Sequence, residues 1–253
     1  MKKILKLMIG AVSSFVVGAS IGLGVLYSVT VSTYATSLDE FNDITNVTAT
    51  LSPTETHAIR KSRSSVVRVV SLSADQQIFS SATGTYLTVG GRYFVLTVSH
   101  GIHGPCELTR IEASEEYVGC LKVIEKNEGI DYTIIEIEKL SNRTPVEIPR
   151  DLAKRRSDFA IMNEVYYTGY PNSAGPLTID GKIVGYMGTD FIYIKSYAWS
   201  GSSGSGVFSS TGKLIGYILA LDVGYTEYGI DVLEDIVFVV PITAVNWDSL
   251  LRE

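Results

Sequence analysis

Histidine is scarce in this chain, with His57, His100 and His103 the only three in 253 residues. Chemistry that needs an imidazole has to use one of those positions. Cysteine is scarcer still: Cys106 and Cys120 are the only two, and neither has the neighbours expected of a nucleophile or a zinc ligand. At this length a chain builds a proper core, so neither disulfides nor a metal is needed to hold it together. Positive charge is also in short supply. Lys and Arg number 21 against 27 Asp and Glu, a formal net charge of -6. Lys2, Lys3 and Lys6 sit at the very start, so the rest of the chain is more acidic still. No basic stripe follows, which argues against a nucleic-acid partner, and Lys154-Arg155-Arg156 reads as a solvated loop.

Charge of either sign is missing between Lys6 and Asp39, and Met8 to Val31 is dominated by Val, Ile, Leu, Gly, Ala and Ser. An apolar stretch of that length can span a bilayer as a helix. Lysines before it, and none directly after it, put the N-terminus in the cytoplasm and the remaining chain outside, in a periplasm or at a cell surface. Thr33-Tyr34-Ala35 offers a signal-peptidase site, and cleavage there would secrete the chain. The length of the apolar core favours a retained anchor over residues 1–34. A polar segment rich in Thr, Ser, Asp, Glu and Asn follows and reads as a linker over 35–63.

From Ser65 onward the texture changes to short apolar or alternating runs separated by Gly, Asn, Asp and Ser. One set comprises Val66 to Leu72, Gly84 to Val89, Tyr93 to Val98, Tyr117 to Ile124 and Tyr132 to Ile137. A second comprises Asp158 to Thr168, Lys182 to Met187, Phe191 to Ser196, Gly206 to Ser209, Leu214 to Leu221 and Ile236 to Val240. The polar stretch Lys139 to Ser157 divides them. This pattern predicts an all-β fold of two tandem barrels, over 64–145 and 146–253. A short helix between Ile242 and Leu251 is expected to end the chain. Cys106 and Cys120 flank a hairpin with its turn near Ala113-Ser114, which permits a disulfide as well as two buried thiols.

Acyl transfer at a peptide bond needs a nucleophile, a base, a group that orients the base, and donors for an oxyanion. Trp199-Ser200-Gly201-Ser202-Ser203-Gly204-Ser205-Gly206 can supply two of these. Glycines on both sides of Ser203 allow a tight turn that exposes the hydroxyl, with the amides of Gly201 and Ser203 converging on one point. Alone, such a Gly/Ser run also suits a flexible loop. Among the histidines, His57 lies in the linker and His103 in a Gly/Pro-rich turn, read as ordinary surface. His100 ends the apolar strand Phe94-Val95-Leu96-Thr97-Val98, a rigid element that suits a base. Asp131 opens the run Tyr132-Thr133-Ile134-Ile135-Glu136-Ile137, which suits an orienting acid and equally a turn aspartate.

Taken together these signals are far more specific. Leu96-Thr97-Val98-Ser99-His100, Ile130-Asp131-Tyr132-Thr133-Ile134-Ile135 and Gly201-Ser202-Ser203-Gly204-Ser205 resemble the histidine, aspartate and serine motifs of the trypsin-like serine peptidases. The likeness is strongest to the protease domain of the bacterial HtrA (Deg) family. Ser65-Val66-Val67, Tyr167-Thr168-Gly169-Tyr170-Pro171, Gly212-Lys213-Leu214-Ile215-Gly216 and Phe238-Val239-Val240-Pro241 match its lesser motifs in order. The resemblance implies two tandem six-stranded antiparallel β-barrels and a serine endopeptidase with Ser203 as nucleophile, His100 as general base, Asp131 as orienting acid, and the Gly201 and Ser203 amides as oxyanion hole. Its substrates would be proteins or peptides, without metal or cofactor.

The chain also departs from the family. Ser202 stands where digestive trypsins have Asp, so an activation switch that pairs a freed N-terminus with that Asp is not available. Ser205-Gly206 replaces the commoner Gly-Gly or Gly-Pro, and no PDZ module is expected after the closing strand. Tyr197, Ala198, Tyr217, Leu219, Leu221 and Ile236 are expected to line the first substrate pocket, which predicts a small or medium apolar residue before the cut. Asp222 is the nearest acid in sequence. The rival from another class is a catalytically silent protease-like binding or chaperone module. An esterase is disfavoured, because neither the Gly-x-Ser-x-Gly elbow nor alternating helices are present.

Overall fold

The computed structural model describes residues 52–148, 156–226 and 229–251, with the side chains of 156, 220–234 and 251 left aside. The expected membrane span, its cleavage site, the first part of the linker and Lys154-Arg155 lie outside the described residues. Among the described residues, no helix is long and apolar enough to cross a membrane.

Tyr132-Thr133-Ile134-Ile135-Glu136-Ile137 is apolar on both faces, and the fold explains why. Tyr132 and Ile134 belong to a cluster shared with Phe208, Leu214, Tyr217 and Val240 from the second half of the chain. Ile135 and Ile137 belong to a separate cluster with Val67, Val69, Tyr86 and Val95. Successive side chains of a strand face opposite ways, so this strand fills a barrel interior with one set and an inter-barrel contact with the other.

The first barrel is built from β1 (Val66–Leu72), β2 (Phe79–Val89), β3 (Arg92–Thr97), β4 (Thr109–Ala113), β5 (Glu116–Asn127) and β6 (Tyr132–Ile137). They run in the order β1-β4-β5-β6-β3-β2, and β2 pairs back onto β1. A short β7 (Val146–Glu147) adds in parallel to β2. The second barrel, β8 (Glu164–Gly169), β9 (Leu177–Met187), β10 (Phe191–Lys195), β11 (Gly206–Ser209), β12 (Leu214–Thr226) and β13 (Gly229–Pro241), closes in the order β10-β13-β12-β11-β8-β9. Closure removes the exposed strand edges that an open sheet would carry. Val165, Tyr167, Ile183, Ile194, Val207 and Val237 fill this barrel.

Three expectations need correction. The linker read over 35–63 contains, at its end, a helix α1 (Pro53–Ser65) that runs into β1. Ser52 caps it in a reciprocal box: its hydroxyl accepts from the Glu55 amide at 3.3 Å, and its amide donates to the Glu55 carboxylate at 2.8 Å. The helix packs on the second barrel, where the Ser62 hydroxyl donates to Thr168 at 2.8 Å and Tyr166 donates to Glu55 at 3.0 Å. Strand β4, Thr-Arg-Ile-Glu-Ala, was not expected, because two charges break up its apolar residues. At the other end, only Asp248–Leu251 is α-helical (α2), after a 3₁₀ turn at Ile242–Ala244. That tail returns to the first barrel: the Asn246 amide donates to the Tyr132 hydroxyl at 3.2 Å, and Trp247 and Leu250 join the shared cluster.

Cys106, on a 3₁₀ turn before β4, is bridged to Cys120 on β5, 14 residues on, with Cα atoms 5.2 Å apart. The bond ties the loop that follows His100 to the first barrel. A closed loop of this size is worth about 3 kcal/mol in the chain-entropy account. Cys106→Ser should lower the unfolding free energy by about that amount in a denaturant titration. An unchanged midpoint would show that the bridge adds nothing to stability.

Candidate active site

His100 lies just past β3, on a 3₁₀ turn Ser99–Gly101. Asp131 sits immediately before β6 with φ +56°, a left-handed conformation uncommon for a residue with a Cβ. The turn is held from several sides. Asn127 Oδ1 accepts from the amides of Gly129 and Ile130 at 2.9 and 3.2 Å, and the Tyr217 hydroxyl donates to the Ile130 carbonyl at 2.7 Å. Burial, reinforced by the negative charge of Asp131, pushes the Tyr217 hydroxyl up, so it stays protonated and acts as a donor.

This geometry delivers both carboxylate oxygens to one residue. Asp131 Oδ1 accepts from the His100 backbone amide at 2.8 Å, and Oδ2 lies 2.5 Å from His100 Nδ1. A carboxylate so placed favours the proton on Nδ1 and leaves the Nε2 lone pair facing away from it. The side chain of Asp131 is 21% exposed and that of His100 55%, so the acid is shielded while the imidazole is accessible.

The serine loop, residues 200–205, is fixed mainly through its carbonyls. Ser200 accepts from the Asn172 amide at 2.6 Å, Gly201 from the Thr83 hydroxyl at 2.7 Å, Ser203 from the Thr83 amide at 2.9 Å, and Ser205 from the Ile218 amide at 2.8 Å. The amides of Ser202, Gly204 and Ser205 donate to Trp199, Ile218 and Ser202 in turn. Those of Gly201 and Ser203 donate to no acceptor among the described residues. Gly201 and Gly204 have φ of +93° and +89°, and a Cβ on Gly204 would lie 2.0 Å from the Thr83 carbonyl oxygen. Only glycine fits there.

One cleft of about 410 Å³ receives both His100 and Ser203. Its lining takes Ala198, Trp199, Gly201 and Ile218 from the second barrel and Ser80–Ala82, Gly101 and His103 from the first. Among the described residues, none that lines the cleft is acidic. His103, read as ordinary surface, is thus part of the wall. Of the six residues expected to line a substrate pocket, only Ala198 does so among the described side chains. Tyr217 is fully buried behind the Asp131 turn, and Leu219 packs against the shared cluster. Ile236 sits on β13 opposite Lys195. Tyr197 is exposed and stacked on Trp199, with ring centroids 6.2 Å apart, while the buried Tyr167 hydroxyl donates to its carbonyl. Leu221 and Asp222 fall outside the described side chains. Among the described side chains of β12, Ile218 reaches the cleft, and Tyr217 faces the shared cluster on the other side of the strand.

The fold recurs among solved structures. Residues of this chain superpose on the Rv3671c protease of M. tuberculosis in its active form with TM-score 0.56 and 17% identity, covering 74% of this chain and 79% of that one. A serine endoprotease from Yersinia pestis gives TM-score 0.59 and 19% identity, covering 76% of this chain and 64% of that one. A search of curated proteins by sequence finds no match. A family model, the trypsin-like peptidase domain, matches residues 82–216, more than half of the chain. That stretch begins on β2 beside Thr83, ends on β12 and takes in His100, Asp131 and Ser203. The chain therefore belongs to the trypsin-like peptidase family and is a serine endopeptidase.

Proposed function

We propose that the protein is a membrane-anchored, HtrA-like endopeptidase that hydrolyses peptide bonds through an acyl-enzyme on Ser203. His100 Nε2 takes the Ser203 proton as the hydroxyl attacks the carbonyl, then delivers it to the leaving amine. Asp131 holds the His100 tautomer and stabilises the imidazolium. The amides of Gly201 and Ser203 receive the oxyanion. No cofactor enters this sequence of steps. The observation that carries the reading is the double engagement of Asp131 by His100, in a cleft that His100 shares with Ser203.

Because His100 protonates the leaving amine, the amine side of the substrate lies toward Gly101, His103 and Ser80–Ala82. The acyl side then falls toward Ala198 and Ile218. Both of those are apolar and no described residue lining the cleft is acidic, which supports a small or medium apolar residue before the cut. Anchoring rests on the apolar run Met8 to Val31 behind three lysines.

A fluorophosphonate probe should label the full-length chain in cells. Ser203→Ala should abolish the label, and His100→Ala should slow labelling by roughly a thousandfold. Labelled protein should stay in the membrane pellet through an alkaline wash, and the enriched enzyme should cut a peptide library after residues such as Ala or Val. A folded chain that never labels would sink the assigned roles. Label in the soluble fraction would sink the anchor, and cutting mainly after Arg or Lys would sink the specificity.

Thr83 is fully buried, donates to the Gly201 carbonyl and accepts from the Tyr170 amide at 2.9 Å. Thr83→Val strands both partners, which should cost about 2–4 kcal/mol of stability. It should also slow labelling at least ~10-fold, because the oxyanion donors lose their support. Thr83→Ser should restore both. A Thr83→Val enzyme that labels at the wild-type rate would show that the serine loop holds its shape unaided.

A further inference from the structure

In a trans peptide the C=O and the N–H point in opposite directions, so whatever holds the carbonyl also aims the amide. The Gly201 amide is aimed by the hold of Asn172 on the Ser200 carbonyl, at 2.6 Å. The Ser203 amide is aimed through the Ser202 carbonyl, which accepts twice from one residue. Ser205 donates its backbone N–H at 3.0 Å and its hydroxyl at 2.6 Å. Any residue at 205 supplies the first bond, but the second needs a hydroxyl. Two donors occupy both lone pairs of the Ser202 oxygen and polarise the peptide, which strengthens the Ser203 N–H as a donor.

Ser205 is 0% exposed and so touches no substrate. Its hydroxyl has room because residue 169, on β8, is glycine: a Cβ there would lie 2.4 Å from Ser205 Oγ. We infer that Ser205 is a positioning residue of the oxyanion site, its hydroxyl locking the Ser202–Ser203 peptide in the orientation that receives the developing charge. This rests on the reading of the Gly201 and Ser203 amides as the oxyanion hole.

The test compares full-length wild type, Ser205→Ala, Ser205→Gly and Gly169→Ala. Two quantities are read: kcat and KM on a peptide amide, and inhibition by a peptide boronate, whose tetrahedral adduct places an oxygen in the oxyanion site. Both Ser205 variants should lose roughly tenfold in kcat and in boronate affinity, with KM within twofold of wild type. Gly169→Ala, which keeps Ser205 but evicts its hydroxyl, should reproduce that loss. With kcat taken per active site titrated by the fluorophosphonate, a general weakening of the fold, which lowers the active fraction, does not mimic this loss. Ser205 variants with wild-type kcat and boronate affinity, or with the loss confined to KM, overturn the role while leaving Ser203 as nucleophile. A wild type that neither turns over the peptide nor binds the boronate overturns the nucleophile reading and this role with it.

Discussion

Thr83 is the point on which the two halves of the site meet. It belongs to β2 of the first barrel, yet its amide, hydroxyl and carbonyl all serve the catalytic region. The amide holds the Ser203 carbonyl, the hydroxyl holds the Gly201 carbonyl and receives the Tyr170 amide, and the Thr97 hydroxyl donates to its carbonyl at 2.7 Å. A hydrogen bond is worth only about 1 kcal/mol net, but an orphaned buried partner costs more. Three of these bonds cross to the second barrel while the Thr97 bond stays within the first, and at one fully buried residue they fix the register of one barrel against the other far more sharply than the apolar contact around them. Dispersion and burial bring the barrels together; these polar contacts decide where they stop.

The division of labour follows from that. His100 and Asp131 come from the first barrel and are locked by contacts mostly local to it, whereas Ser203 comes from a loop of the second. The positive φ of Asp131 is the cost of aiming both carboxylate oxygens at His100, and the Asn127 and Tyr217 hydrogen bonds hold the turn that makes it. Tyr217 is itself a residue of the second barrel. The orientation of the acid is thus another feature that needs both barrels in place.

Much of this was legible in the sequence. Val66–Leu72, Tyr132–Ile137 and Gly206–Ser209 are strands with the expected bounds, because β-branched residues and flanking turn residues agree there. The three motifs carrying His100, Asp131 and Ser203 could be ranked because each sits at the end or start of such a strand. What escaped has identifiable causes. Helix α1 has a mean hydropathy too low to stand out, and its Ser52-Pro53-Thr54-Glu55 capping signal lies in a segment whose composition reads as linker. Thr83 has no motif of its own, since its value lies in partners more than 85 residues away. Ile218 lines the cleft where Tyr217 and Leu219 are expected, because alternation along a strand does not by itself say which face meets a cleft.

The two ends of the described chain are crossed over. Helix α1 precedes the first barrel but packs on the second, and the tail from Asn246 follows the second barrel but packs on the first. Ser62 and Thr168 are 106 residues apart, and Asn246 and Tyr132 are 114 apart. During synthesis, α1 and the first barrel are made well before the surfaces that complete them exist. Contacts of such long range close late and slowly. A ribosome-bound chain therefore carries His100 and Asp131 while the 72 residues from Asp131 to Ser203 are still being added. The cleft that His100 shares with Ser203 therefore takes shape only once the second barrel has closed.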